Sequence, residues 1–144
     1  MREAIGGAWI FTIVIVFIVL FSGYLAVSVN YSKAFRVKNG IINIIEQNEG
    51  MNSKARTEIS EYLDGYGYFV YGNCKDAKGY DELVGGQKKY RYCVSTKAKG
   101  EGTFKKTYYY VTVYFKLDLP IFGSLFTFPV TGESKAVYFA NDKL

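Results

Sequence analysis

From Ala4 to Ser32 the chain carries no charged residue, 29 consecutive positions. The centre of this run, Trp9 to Phe21, is apolar except for Thr12. The hydrocarbon core of a bilayer is about 30 Å thick and is crossed by about 20 apolar helical residues. A lone strand in lipid would leave its backbone groups unpaired, so the run is predicted to be helical despite its β-branched content. Helical spacing continues past Ser32. Tyr31, Ala34, Phe35, Ile41, Ile42 and Ile45 recur at intervals of three, four and seven, which places them on one face. Gly50 follows as the expected C-cap. The prediction is one helix over Met1–Gly50, apolar all round in its first half and amphipathic in its second. At 1.5 Å per residue it would be on the order of 70 Å long. The chain then divides into a transmembrane helix (1–30), an amphipathic extension of the same helix (31–50) and an α+β domain (51–144).

Composition narrows what that domain can do. There is no histidine among the 144 residues. This excludes imidazole acid–base catalysis, Ser-His-Asp and Cys-His nucleophiles, and histidine metal sites. Asp76, Asp81 and Glu82 lack the spacing of an EF-hand and its closing bidentate Glu. Gly85-Gly86 lacks phosphate-loop spacing. No enzyme activity, metal, cofactor or small-molecule substrate is expected. Aromatic residues make up 18% of the chain, almost all Tyr and Phe, and most follow Gly65. They favour strands.

Cys74 and Cys93 are the only cysteines. Joined, they would close a loop of about 20 residues and stabilise by about 3 kcal/mol, as in many small domains outside the cytoplasm. Two buried free thiols are the alternative. Charge points the other way. Lys33, Arg36 and Lys38 follow the uncharged run, whereas Arg2 and Glu3 precede it, and the positive-inside rule would put the large domain in the cytoplasm. The cysteines favour the outside. Ala26-Val27-Ser28 is a poor cleavage site, and the run exceeds the 7–15 apolar residues of a signal peptide, so a retained single-pass anchor is expected.

Along the domain, Asn52 or Ser53 caps a short helix whose face is Ala55, Ile59, Tyr62 and Leu63 and which Gly65 ends. Tyr66–Tyr71 reads as a first strand, Lys75–Gly86 as a loop, and Lys88–Lys97 as a second strand with Tyr90, Tyr92 and Val94 on one face. A turn at 98–102 leads into Thr103–Leu117, the strongest strand. Its faces are Tyr109, Val111, Val113, Phe115 and Leu117 against Tyr108, Tyr110, Thr112, Tyr114 and Lys116. Leu119–Leu125 breaks the pattern at Pro120 and is read as a short helical turn. Phe126–Val130 is a brief extended stretch around Pro129, Thr131-Gly132 a turn, and Ser134–Ala140 a last strand. The fold class is therefore α+β, with a long N-terminal helix packed on a small antiparallel sheet. Ile41, Ile42, Ile44 and Ile45 cover an arc wider than one sheet contact needs. Either the chain's own domain covers that arc or neighbouring copies do.

Net charge is +5, and the excess is local. Lys88, Lys89, Arg91, Lys97, Lys99, Lys105 and Lys106 lie within twenty residues, interleaved with Tyr90 and Tyr92. Such a stripe suits an anionic polymer or nucleic acid. It equally suits a solvated strand edge, where Lys discourages sheet-to-sheet pairing.

The uncharged helix, its amphipathic continuation Tyr31–Ile42, the short helix, the Tyr-rich sheet and the closing Leu119–Tyr138 segment together resemble the pilin-like proteins. Among these, the chain is most similar to TadE-like pseudopilins of tight-adherence and type IV-type pili. The resemblance implies a subunit held in the membrane with its domain outside, packed through its N-terminal helix against other pilin-like subunits by pilus assembly machinery. It implies assembly contacts at Phe35, Ile41, Ile42, Ile44 and Ile45. The chain departs from the family pattern near its start, where Gly6 and Gly7 are not followed by an acidic residue before Glu46. Glu3 is then the candidate for neutralising a neighbour's N-terminal amine; alternatively it is an interfacial residue favoured by the helix dipole. Two function classes follow. One is a structural subunit of a surface filament. The other is a membrane-tethered module that grips anionic polymer through Lys88, Lys89, Arg91, Lys105, Lys106, Tyr90 and Tyr92.

Overall fold

A computed structural model describes residues 2–85, 88–100, 105–119 and 123–138. Helix α1 runs unbroken over Arg2–Gln47, 46 residues. It is long and apolar enough to cross a bilayer. Its end is built by a Schellman arrangement, in which the Gly50 N–H donates to the Ile45 carbonyl (3.0 Å) and the Glu49 N–H to the Glu46 carbonyl (3.3 Å). The left-handed residue is Glu49 (φ 55°), one position before the predicted glycine.

Helix α2 (Ser53–Gly65) starts at Asn52, whose side chain accepts from the Ala55 N–H at 2.8 Å. It buries Ala55, Ile59 and Leu63. A second Schellman ending places Gly67 in the left-handed region, with the Tyr68 N–H donating to the Leu63 carbonyl (2.9 Å). Tyr66–Tyr71 is therefore not a strand. Its first residues close α2, and the backbone bridges to the sheet just beyond the segment, Gly72 with Tyr90.

The sheet is an antiparallel meander, β1 (Lys78–Glu82), β2 (Tyr90–Lys99), β3 (Lys106–Leu119) and β4 (Gly123–Glu133), in the order β1-β2-β3-β4. β5 (Val137–Tyr138) continues the β4 side of β3, opposite Thr107 and Lys106. The sheet departs from the sequence expectation in four places. The loop Lys75–Gly86 contains β1, because Gly79 leaves room for the Tyr90 ring that lies over it. Phe126–Val130 and the supposed turn Thr131-Gly132 are parts of one strand, since β4 is an edge and an edge tolerates Pro129. Gly123, Ser124 and Leu125 also belong to β4 rather than to a helical turn, while residues 120–122 lie outside the described residues. Of the predicted last strand Ser134–Ala140, Val137–Tyr138 form β5 and residues 139–140 lie outside the described residues, while Ser134 turns its hydroxyl into the ladder. It accepts from the Tyr109 N–H at 3.0 Å, while its own N–H donates to the Tyr109 carbonyl at 2.8 Å.

The core lies between α1, α2 and the inner face of the sheet. Ala34, Val37, Ile41, Ile42 and Ile45 meet Tyr92, Val94, Tyr109, Val111, Val113 and Phe115, with Ile59 and Leu63 closing the side. β3 runs antiparallel to α1. Tyr31 touches Phe115 edge-on at 5.8 Å. Higher up, Lys38 lies over Gly132, whose register partner is Val111. At the top, the Glu46 carboxylate accepts from the Lys135 N–H at 2.7 Å. The late residues of β3 therefore lie nearest the uncharged half of α1.

Candidate functional site

Two surfaces remain once the core is assigned. The first is the lower half of α1, where Trp9, Ile10, Phe11 and the residues through Phe21 are all exposed. Phe17 and Phe21 stack along it at 6.4 Å. The helix packing residues divide. Ile41, Ile42 and Ile45 are buried under the chain's own sheet and α2, and Ile44 is half-buried against the same cluster. The wide isoleucine arc is thus covered within one chain, and only Phe35, 43% exposed, faces outward. Lys38 joins the interior instead of the exposed cations beyond the run. Its ammonium sits 4.1 Å from the centre of the Phe35 ring, and its stem fills the space left by Gly132. The side chain of Glu3 lies outside the described residues.

The second surface is the outer face of the sheet. Here the seven residues proposed as one anionic-ligand patch do not come together. Tyr92 is 1% exposed and stacks on Tyr80 at 5.2 Å, inside the core, where burial pushes its hydroxyl pKa up. Tyr90 packs over Gly79. Arg91 is held by Asp64 at 2.7 Å and Asp81 at 3.9 Å, with its guanidinium 5.0 Å from the Phe69 ring. Burial lowers its pKa, but the Tyr71 hydroxyl and the Asp64 carboxylate beside it more than offset this and leave it raised. Asp81 also accepts from the Ser60 hydroxyl at 2.9 Å, so Arg91 clamps α2 to β1 and β2. Lys88 and Lys89 precede β2, whereas Lys105 and Lys106 flank the start of β3 opposite Lys99. At 3.3 Å per residue the two lysine pairs are about 30 Å apart.

What the register does assemble is a different group. Lys97 stands opposite Tyr108, Lys99 opposite Lys106, and Lys106 opposite Tyr138. Each ammonium lies over a ring: Lys97 over Tyr110 at 5.0 Å, Lys99 over Tyr108 at 5.5 Å, and Lys106 over Tyr138 at 5.5 Å. Glu133 borders the group and accepts from the Tyr110 hydroxyl at 2.9 Å, which raises the Tyr110 pKa. Sequence alternation places Tyr108 and Tyr110 outward, but which lysines join them depends on strand pairing that linear spacing does not record.

Farther along the same face, Cys74 and Cys93 are bonded, with Cα atoms 5.7 Å apart. The bridge ties the segment after α2 to the middle of β2. The Tyr114 hydroxyl lies 3.0 Å from the Cys93 sulfur and donates to the Asn73 carbonyl at 2.7 Å. An open hollow of about 660 Å³ beside the bridge is lined by Asn73, Lys75, Asp76, Lys89 and Ser95. Among the described residues no group of three or more Cys, Asp or Glu side chains is placed to hold a metal ion. The chain matches no family model, and neither a curated protein nor a solved structure is similar to it.

Proposed function

We propose that this chain is a non-enzymatic, pilin-like structural subunit, anchored by a single membrane pass with its C-terminal domain outside the cell. It packs through α1 against further copies or other pilin-like subunits of a surface filament of the tight-adherence or type IV kind. One observation carries the reading. The same helix is seated in its own domain from Ala34 to Ile45 and wholly uncovered from Trp9 to Phe21. An uncovered apolar surface of that length suits lipid before assembly and neighbouring subunits after it. The Cys74–Cys93 bond supports the external placement, since such bonds persist in oxidising compartments. Shearing whole cells without detergent should release the protein into a high-molecular-weight fraction, and a membrane-impermeant reagent should label the domain on intact cells. A protein that stays wholly in the detergent-soluble membrane fraction as a monomer overturns the filament role. A domain digested by protease in inverted vesicles overturns the orientation.

A second reading is favoured by the three Lys–Tyr pairs on the outer face. On this reading the domain is a membrane-tethered module that binds anionic polymer or nucleic acid by charge and ring stacking. Binding by the detergent-solubilised chain would fall steeply with salt. It would be lost in Lys97→Ala/Lys99→Ala/Lys106→Ala and kept in Lys88→Ala/Lys89→Ala.

A further inference from the structure

We infer that the α1-proximal end of the β3–β4 hairpin is a second membrane contact, in which Phe126, Phe128 and Tyr31 lie in the headgroup region of the leaflet from which α1 emerges. Phe126, Phe128, Phe115, Tyr31 and Phe35 form a continuous run of rings, with successive centroids 6.1, 5.5, 5.8 and 6.4 Å apart. Only Phe115 in this run is buried. Phe126 is 58% exposed, and Phe128, Tyr31 and Phe35 are each more than 40% exposed.

Two lengths place this strip at the bilayer surface. The uncharged run of α1, Ala4–Ser32, is about 43 Å long at 1.5 Å per residue. The hydrocarbon core takes up about 30 Å. With Ala4, next to the charged Arg2 and Glu3, at the far edge of that core, the last eight or nine uncharged residues, roughly Tyr24 to Ser32, stand among headgroups. From Phe115, level with Tyr31, β3 continues to Leu119 toward the uncharged half of the helix, a further 13 Å or so at 3.3 Å per residue. The hairpin thus descends through the layer that this surplus of helix occupies. Gly23, Ala26, Val27 and Asn30 belong to this part of α1. They lie on the same face as Ala34 and Val37, and all four are half-covered, while most of their neighbours in the lower helix are exposed.

The chemistry of the strip suits that layer. Aromatic residues collect at membrane–water interfaces. Lys33 and Arg36, close in α1 to Tyr31 and Phe35, and Lys116, next to Phe115 in β3, are exposed. Lys33 and Arg36 share a hollow of about 360 Å³ with Ser28, Ser32 and Tyr66, suited to an anionic headgroup. The inference rests on α1 spanning a bilayer. It depends neither on filament assembly nor on which side the domain faces.

Trp9 is the only tryptophan, which makes the test direct. The full chain is placed in nanodiscs of phosphatidylcholine and phosphatidylglycerol containing a doxyl-labelled lipid. Three single-tryptophan forms are compared: the natural chain, Trp9→Phe/Phe128→Trp and Trp9→Phe/Phe126→Trp. The natural chain should be quenched, which reports on the anchor. The two hairpin forms should show blue-shifted emission and lose more intensity to a label near the headgroup than to one at mid-chain. Water-like, unquenched emission from both hairpin forms, with Trp9 still quenched, overturns the inference and leaves the anchor intact. Loss of Trp9 quenching overturns the anchor itself. Blue-shifted hairpin emission that lipid labels do not quench, and that reverts to water-like on dilution to one chain per disc, assigns the strip to a second copy and also overturns the inference.

Discussion

The tyrosines set the response of the fold to pH. Burial raises the hydroxyl pKa of Tyr68, Tyr92 and Tyr114 above the ordinary value of 10.0. Tyr68 donates to the Tyr114 carbonyl, and Tyr114 in turn closes over the disulfide, so two of these hydroxyls sit in one buried network. A raised folded-state value means that the folded chain holds these protons more tightly than the unfolded chain. That stability is fully present below pH 10 and is lost as pH climbs through the folded-state values. Urea denaturation should therefore give a nearly constant midpoint from pH 7 to 9 and a falling one above about pH 10. Phe replacing Tyr68 should blunt that fall. The bridge is the second prediction at this scale. Cys74→Ser/Cys93→Ser should lower the unfolding free energy by about 3 kcal/mol, seen as a matching fall in the natural protein under reducing agent. Arg91 marks where reading single residues stops. Its place among lysines suggested a ligand patch, but Asp64 and Asp81, 27 and 10 positions away in sequence, already hold it.

Elements differ in how openly the sequence declares them. The absence of charge from Ala4 to Ser32, and periodic Ala55, Ile59 and Leu63, mark α1 and α2, and both helices form where expected. Strict alternation marks β2 and β3, whose inner faces carry Tyr92, Val94, Tyr109, Val111 and Val113 as read. β1 is hidden because Lys78-Gly79-Tyr80-Asp81-Glu82 has the composition of a loop and becomes a strand only by pairing with β2. β4 is hidden because Pro129 and Gly132 imitate turn residues. Close helix contact is equally unreadable in sequence. A Cβ at Gly40 would enter the Tyr62 side chain, so this glycine lets α2 lie directly on α1. Gly40→Ala should destabilise by about 1–3 kcal/mol despite its better helix propensity. In a denaturation double-mutant cycle, Tyr62→Ala should remove most of that cost.

At the scale of the whole molecule, the boundary at Gly50 separates helix from sheet but not one folding unit from another. Ala34, Val37, Ile41, Ile42 and Ile45 are core residues, each at most 8% exposed. A fragment 31–144 should be soluble and give a cooperative thermal transition by circular dichroism. A fragment 51–144 should not, because it lacks five buried side chains, and losing even one such aliphatic group costs about 2–5 kcal/mol of the 5–15 kcal/mol that holds a small domain together. The outer lysine–tyrosine group and the aromatic strip lie at opposite ends of β3, so surface changes at one end should leave the other untouched. Helix α1 contains no proline and no interruption between Arg2 and Gln47. It therefore offers no joint between its uncharged half and the half seated in the domain. With α1 set in a bilayer, a chain leaning by some angle would swing its globular end through that same angle, like a mast fixed to a deck. Whatever sets the lean of one end thereby aims the other.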